Sequence, residues 1–213
     1  MGAEVLIREA GAGELEAVEA LVKGAYREFR ELVPEAGWER WMASITQAIN
    51  AGAGQLLVAE VAGTIQGVVQ FFPDASRSGQ GRWPPGSGTI RLLAVRPESR
   101  GLGLGTRLTL ECLRRARDLK LSTIFLYTGR FMLAARHLYE KLGFKRAPEW
   151  IRPGSRGPSP TAWTCQRGRA AFFLKSIWAY DVLMTSGKYS RPICFPAAET
   201  VAKMVSRFTR TDS

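Results

Sequence analysis

Ile90-Arg-Leu-Leu-Ala-Val-Arg-Pro-Glu-Ser-Arg-Gly-Leu-Gly-Leu-Gly-Thr-Arg-Leu108 is the most informative stretch of this 213-residue chain. A β-type apolar run, Ile90–Val95, meets Pro97 and a polar turn. Three alternating glycines, Gly101, Gly103 and Gly105, follow, and then a helical pattern begins. Glycines without Cβ atoms permit tight backbone geometry and close approach of a ligand. The first turn of the helix leaves its amides without intrahelical partners. A strand-to-helix turn of this kind suits an anion, phosphate above all, and Arg100 and Arg107 can add charge-assisted contacts. Two other nucleotide motifs fail on spacing. Gly105 is followed by Thr106 rather than by the lysine of a Walker A loop. The pattern is GxGxG rather than GxGxxG, with no acid clearly ending the next strand.

Working outward, apolar residues recur at helical spacing from Leu15 to Phe29, and again from Trp38 to Ile49. Gln55–Val61 and Ile65–Phe72 read as strands joined by a short turn at Ala62-Gly63-Thr64. Pro73–Gly88 reads as a loop. Beyond the glycine-rich turn the spacing predicts a helix over Leu102–Leu119, a strand over Thr123–Tyr127, a helix over Phe131–Leu142 stopped by Gly143, and strands over Phe144–Trp150 and Thr161–Cys165. Further on, Ala171–Met184 and Ala197–Phe208 read as helices. Alternating strands and helices in the middle of the chain argue for an α/β sheet with partly parallel pairing, and the hairpin before it adds antiparallel strands.

LAVRPESRGLGLGTRL, with Arg100, Gly103 and Gly105 at its core, and AARHLYEKLGF, with Ala135, Tyr139, Gly143 and Phe144, stand in that order with one strand between them. Together they resemble the two signatures of the GCN5-related N-acetyltransferase (GNAT) family, and the likeness extends over residues 1 to about 150. The resemblance implies an α/β (α+β) fold: a mixed, mostly antiparallel twisted sheet flanked by helices, with one parallel strand pair that splays to admit acetyl-coenzyme A. It implies a domain over residues 1–166, leaving 167–213 as a basic extension packed on the core or at an oligomer interface. It also implies transfer of acetyl to a primary amine of a small molecule or peptide by direct attack, with no metal.

On that resemblance the coenzyme is expected against Leu93, Ala94, Val95, Arg100, Gly101, Leu102, Gly103, Leu104, Gly105, Thr106, Met132, Ala135 and Tyr139. Tyr139 corresponds to the family's general acid, which protonates the departing thiolate. Tyr26, Phe29 and Trp38 lie where members build the acceptor wall, with Trp41 beside them; the same spacing also suits core packing. Two departures stand out. Met132 occupies the place of a frequent asparagine and cannot make the same hydrogen bonds. The run Thr89–Val95 carries Arg91 but no acid, so no carboxylate is assigned as base; Glu28, Glu31, Glu35, Glu39 and Glu60 are acids elsewhere.

Composition sets the remaining expectations. Cys112, Cys165 and Cys194 are odd in number and widely spaced, which argues against a disulfide framework and for a cytoplasmic location. His137 is the only histidine and reads as a surface or packing residue, and no zinc spacing exists. No apolar run reaches about 18 residues, so no membrane span is expected. The formal charge of +11 is uneven: residues 1–80 carry roughly −5 and the remainder roughly +16, an asymmetry that steers anions. Residues 167–213 hold 8 basic and 3 acidic side chains, with Phe172, Phe173 and Trp178 expected to be buried in this chain or in a homodimer. Two alternatives remain at this stage: a degenerate coenzyme A-binding sensor or scaffold of the same fold, and a nucleic-acid-binding protein, for which no known motif is present.

Overall fold

The computed structural model describes residues 4–151 and 160–166, all within one compact unit, Ala3–Ala170. The extension 167–213, its two helices, Cys194 and the burial of Phe172, Phe173 and Trp178 lie outside the described residues, as does the loop over 152–159. The chain runs β1 (Val5–Glu9), α1 (Leu15–Tyr26), a 3-10 segment (Arg27–Leu32), α2 (Glu35–Asn50), β2 (Gln55–Val61), β3 (Thr64–Phe72), β4 (Ser87–Val95), α3 (Leu104–Asp118), β5 (Thr123–Gly129), α4 (Leu133–Lys141), β6 (Lys145–Arg146) and β7 (Pro160–Gln166). They form one seven-stranded sheet in the order β1-β2-β3-β4-β5-β7-β6. Among the described residues only β4 and β5 pair in parallel; every other neighbour is antiparallel. This is the mixed, mostly antiparallel sheet expected from the sequence.

Local chemistry explains the elements and three shifts from expectation. The β2–β3 hairpin closes through Ala62 and Gly63, both at positive φ (48° and 75°), the backbone that matches the strands' right-handed twist. The first helix does not run on to Phe29. It ends at Tyr26 and continues as a 3-10 segment to Leu32, because Val33 is extended before Pro34. The fourth helix begins at Leu133, with Phe131 outside it. The strand expected over Phe144–Trp150 is only Lys145–Arg146, since Pro148–Trp150 turns back as a 3-10 segment.

The sheet is covered on both faces. Val18, Leu21, Val22, Ala25, Ile45 and Ile49 of α1 and α2 pack on Val58, Val68 and Ala94. The opposite face takes α3: a Cβ at Gly67 would meet Leu108 at 3.1 Å, and Gly67 and Val68 face opposite ways along β3. Leu104, Leu108 and Cys112 of α3 are each at most 1% exposed. Among the described residues no helix is long and apolar enough to cross a membrane.

Candidate active site

The parallel ladder is short. β4 and β5 pair from Ser87 with Thr123 to Ile90 with Leu126, although β4 runs on to Val95 and β5 to Gly129. The cause lies in β4. Val68 pairs with Ala94 and Gln70 with Arg91, so β4 carries one extra residue at this point, and Leu92 adopts φ 54°. A left-handed leucine costs roughly 1–3 kcal/mol. Its side chain packs on the α1/α2 cluster, which offsets that cost. Beyond Ile90 and Leu126 the two strands no longer pair, and the bulge stands where the pairing ends.

The glycine turn follows the unpaired end of β4 and leads into α3. Gly101 and Gly103 hold φ 81° and 75°, and a Cβ on either would meet none of the described residues within 4 Å. Gly103 is the N-terminal cap of α3. Among the described residues, the amides from Gly101 to Thr106 donate to no backbone carbonyl. The turn therefore offers left-handed glycines, open space and free N–H groups at a helix N-terminus, which fits a phosphate-bearing coenzyme. Gly105 differs: its Cβ would make ordinary contacts with Leu138 at 3.5 Å and Val95 at 3.8 Å, tying α3 to α4 and β4. Arg100 points elsewhere than expected. Both terminal nitrogens grip Glu28 at 2.8 and 2.7 Å, and one also reaches the Ala25 carbonyl at 3.3 Å. The turn is thereby tied to the end of α1.

On the α1/α2 side, Tyr26, Phe29, Trp38 and Trp41 form a continuous aromatic cluster with Phe131. The sequence pattern placed Phe131 inside a helix; its position on Phe29, at 5.1 Å between centroids, is a tertiary contact. Tyr26 donates its hydroxyl to the Leu93 carbonyl at 3.2 Å, beside the bulge. Met132 caps the start of α4, where its sulfur accepts from Thr128 Oγ1 at 3.3 Å and the Gly129 amide at 3.4 Å. The thioether thus bonds its own strand end.

Tyr139 is 4% exposed and packs on Phe144 and Trp163. Burial raises its pKa, and the neighbouring Tyr26 and Cys112 act in the same direction, so the phenol stays protonated. Burial likewise raises Tyr26, with Arg91 opposing it. Cys112 is a core thiol pushed up by burial, and Cys165 is pushed up to about 11 by burial. His137 is exposed. Glu28 is paired with Arg100, Glu35 with Arg30, and Glu60 with Arg8 two strands away from β4. Among the described residues no cluster of three or more His, Cys, Asp or Glu side chains is placed to hold a metal.

The family model described as "Acetyltransferase (GNAT) family" matches residues 17–144. Among curated proteins, the mycothiol acetyltransferase of Rhodococcus opacus is 39% identical over 62 residues, 29% of this chain and 20% of that protein. That of Acidothermus cellulolyticus is 41% identical over 68 residues, 32% of this chain and 20% of that protein. The matched stretch thus spans about a fifth of these relatives' length. Among solved structures, the PaiA N-acetyltransferase of Thermoplasma acidophilum in complex with coenzyme A has a TM-score of 0.59 at 17% identity, covering 76% of this chain and 99% of that one. An acetyltransferase of the GNAT family from Staphylococcus aureus gives 0.57 at 16%, with the same coverage. These structural likenesses show the fold.

Proposed function

This chain belongs to the acetyltransferase (GNAT) family, and from that premise we propose that it transfers acetyl from acetyl-coenzyme A to a primary amine by direct attack. The observation that carries the reading is the left-handed glycine turn at the N-terminus of α3, which follows the end of β4 that β5 no longer pairs. The coenzyme supplies the activated thioester. The amides of Gly101 to Thr106 would hold its pyrophosphate. The backbone of Leu93, Ala94 and Val95, freed from β5, would hold the extended arm by hydrogen bonds and offer an N–H to the acetyl oxygen, a donor fixed in advance of the reaction. Ala135 and Met132 line the α4 side. Tyr26, Phe29 and Trp38 form the acceptor wall.

Tyr139 takes the role of proton donor to the leaving sulfur. The phenol is protonated at neutral pH; burial makes it a weaker acid than a free tyrosine, and a thiolate is a fair leaving group that needs only modest help. Positioning of the amine against the thioester accounts for the larger part of the acceleration. The test is a thiol-release screen over a broad amine panel, with coenzyme affinity measured in parallel by calorimetry. Amine-dependent release is the expected result. Tight coenzyme binding with no amine accelerating release would refute transfer while keeping the coenzyme site.

A further inference from the structure

Arg100 and Glu28 meet end to end across 72 residues of sequence. Nη1 of Arg100 donates to one carboxylate oxygen at 2.8 Å and Nη2 to the other at 2.7 Å. Nη2 also reaches the Ala25 carbonyl, in the last turn of α1, at 3.3 Å. Two parallel N–H bonds to two oxygens are the planar fork that guanidinium and carboxylate form best, and they fix orientation as well as distance. Both side chains are nearly half exposed, 44% and 43%, and an ion pair in that setting contributes little to folding. What it does fix is where the two segments that carry it stand relative to each other.

Each of those segments gains from such a hold. Glu28 lies in the 3-10 segment Arg27–Leu32, none of whose six residues is buried, and 3-10 runs of that length are uncommon. The next residue is Phe29, whose ring meets Tyr26 and Phe131 in the aromatic wall. Arg100 is the residue before the glycine turn, where Gly101 and Gly103 are left-handed. The stretch that leads into this turn is pinned to β3: Arg96 Nε donates to the Ile65 carbonyl at 3.0 Å, and Ser99 Oγ to Gln66 Oε1 at 2.9 Å. Arg100 adds the hold on α1 and the segment after it. With both oxygens engaged, Glu28 is no open seat for a cationic amine. With both terminal nitrogens engaged, Arg100 is no open phosphate ligand.

Building on the acetyl-transfer reading, we propose that Arg100 and Glu28 are positioning residues: their fork holds the coenzyme turn and the acceptor wall in one geometry, so that breaking it from either end weakens the binding of both substrates. Neither side chain touches coenzyme or amine in this role. They act through the backbone that seats each reactant, and the reaction depends on how the two are seated against each other.

The test is a double-mutant cycle on Glu28→Gln and Arg100→Gln. It is read by calorimetric affinity for acetyl-coenzyme A and by KM for an amine found in the screen, with a thermal melt on each protein. Both single variants are expected to raise the coenzyme Kd and the amine KM by about three- to tenfold, within the coupling found between residues of one ion pair. The double variant should match the weaker single within about twofold, because the second change removes nothing that the first left. Arg100→Lys, which keeps the charge and loses the fork, should show the same loss, and it takes the place of Arg100→Gln in the cycle should that variant fail to fold. A coenzyme loss in Arg100→Gln beside wild-type coenzyme affinity in Glu28→Gln would make Arg100 a phosphate ligand and overturn the proposal. A higher amine KM in Glu28→Gln with coenzyme affinity unchanged would make Glu28 an amine-binding acid and overturn it too. Losses that multiply in the double variant, or wild-type values in both singles, would do the same, and each of these results leaves acetyl transfer standing. If no amine is acetylated, the transfer reading fails by itself and the coenzyme arm of the cycle still decides the fork; a wild type without affinity for acetyl-coenzyme A would overturn both.

Discussion

Replacing Tyr139 by phenylalanine separates a proton donor from a packing residue. The ring is 4% exposed, with centroids 5.5 Å from Phe144 and 6.5 Å from Trp163. Phenylalanine keeps all of that aromatic surface. Among the described residues the Tyr139 hydroxyl makes no hydrogen bond, so its removal strands no buried group. The folding cost should stay within about 1 kcal/mol, which for a domain of this size is a change in Tm of roughly 2–4 °C. The kinetic cost differs in kind. If the hydroxyl protonates the thiolate, kcat should fall by about 10- to 1000-fold, or roughly 1.4–4 kcal/mol at the transition state. Acetyl-coenzyme A affinity should stay within a few-fold, the pattern of an interaction made only in the transition state. Steady-state kinetics on an amine from the screen, with a thermal melt and a calorimetric affinity on the same preparation, supplies all three quantities. Wild-type kcat in folded Tyr139→Phe would remove Tyr139 from the chemistry and leave orientation and the β4 backbone to account for the rate.

Three further outcomes follow from the geometry. Gly103→Asp puts a carboxylate into the turn at φ 75° and should weaken coenzyme binding at least tenfold, about 1.4 kcal/mol; Gly105→Ala, whose methyl group meets Leu138 at 3.5 Å, should melt no lower than wild type and bind within a few-fold, and calorimetry showing equal losses would refute the turn assignment. Gly88→Ala drives a methyl group to 2.8 Å from Ile124, 2.9 Å from Leu121 and 2.9 Å from the Phe72 carbonyl; overpacking should cost about 1–3 kcal/mol in chemical denaturation, and an unchanged midpoint would show that the seam yields. The third concerns pH. Glu14, bonded to Arg8 and to the Gly11 amide, has its pKa lowered from 4.5 to about 2, so its contribution is complete above pH 4.5 and disappears as pH falls toward 2. Glu14→Gln should therefore narrow its deficit relative to wild type across that window, and a gap in Tm that stays constant with pH would contradict it.

Much of this was visible in the residues because periodicity is local. The stripes of α1, α2 and α3 and the β2–β3 hairpin each lie within a short window, and the glycine turn declares itself by composition. What escaped was decided across the chain. Phe131 has good helical neighbours, yet it packs on Phe29 ahead of α4. The bulge at Leu92 depends on register with β3, and nothing in the run Ile90–Val95 announces a left-handed leucine. Arg100 reads as a phosphate ligand until Glu28, 72 residues away, is brought beside it by the fold.

The short parallel ladder has a consequence for how the molecule assembles. Strands β1 to β4 form one antiparallel block and β5, β7 and β6 another, each stitched by its own pairing. They meet along a seam of four register pairs, and the Thr89–Phe125 contact that closes it bridges 36 residues. Parallel pairing is the weaker kind per residue, and only four register pairs join the blocks, so local opening should cost less along this seam than within either block. The proposed reaction would take place on that boundary, where a coenzyme laid along both strands also fastens the two halves of the sheet to each other.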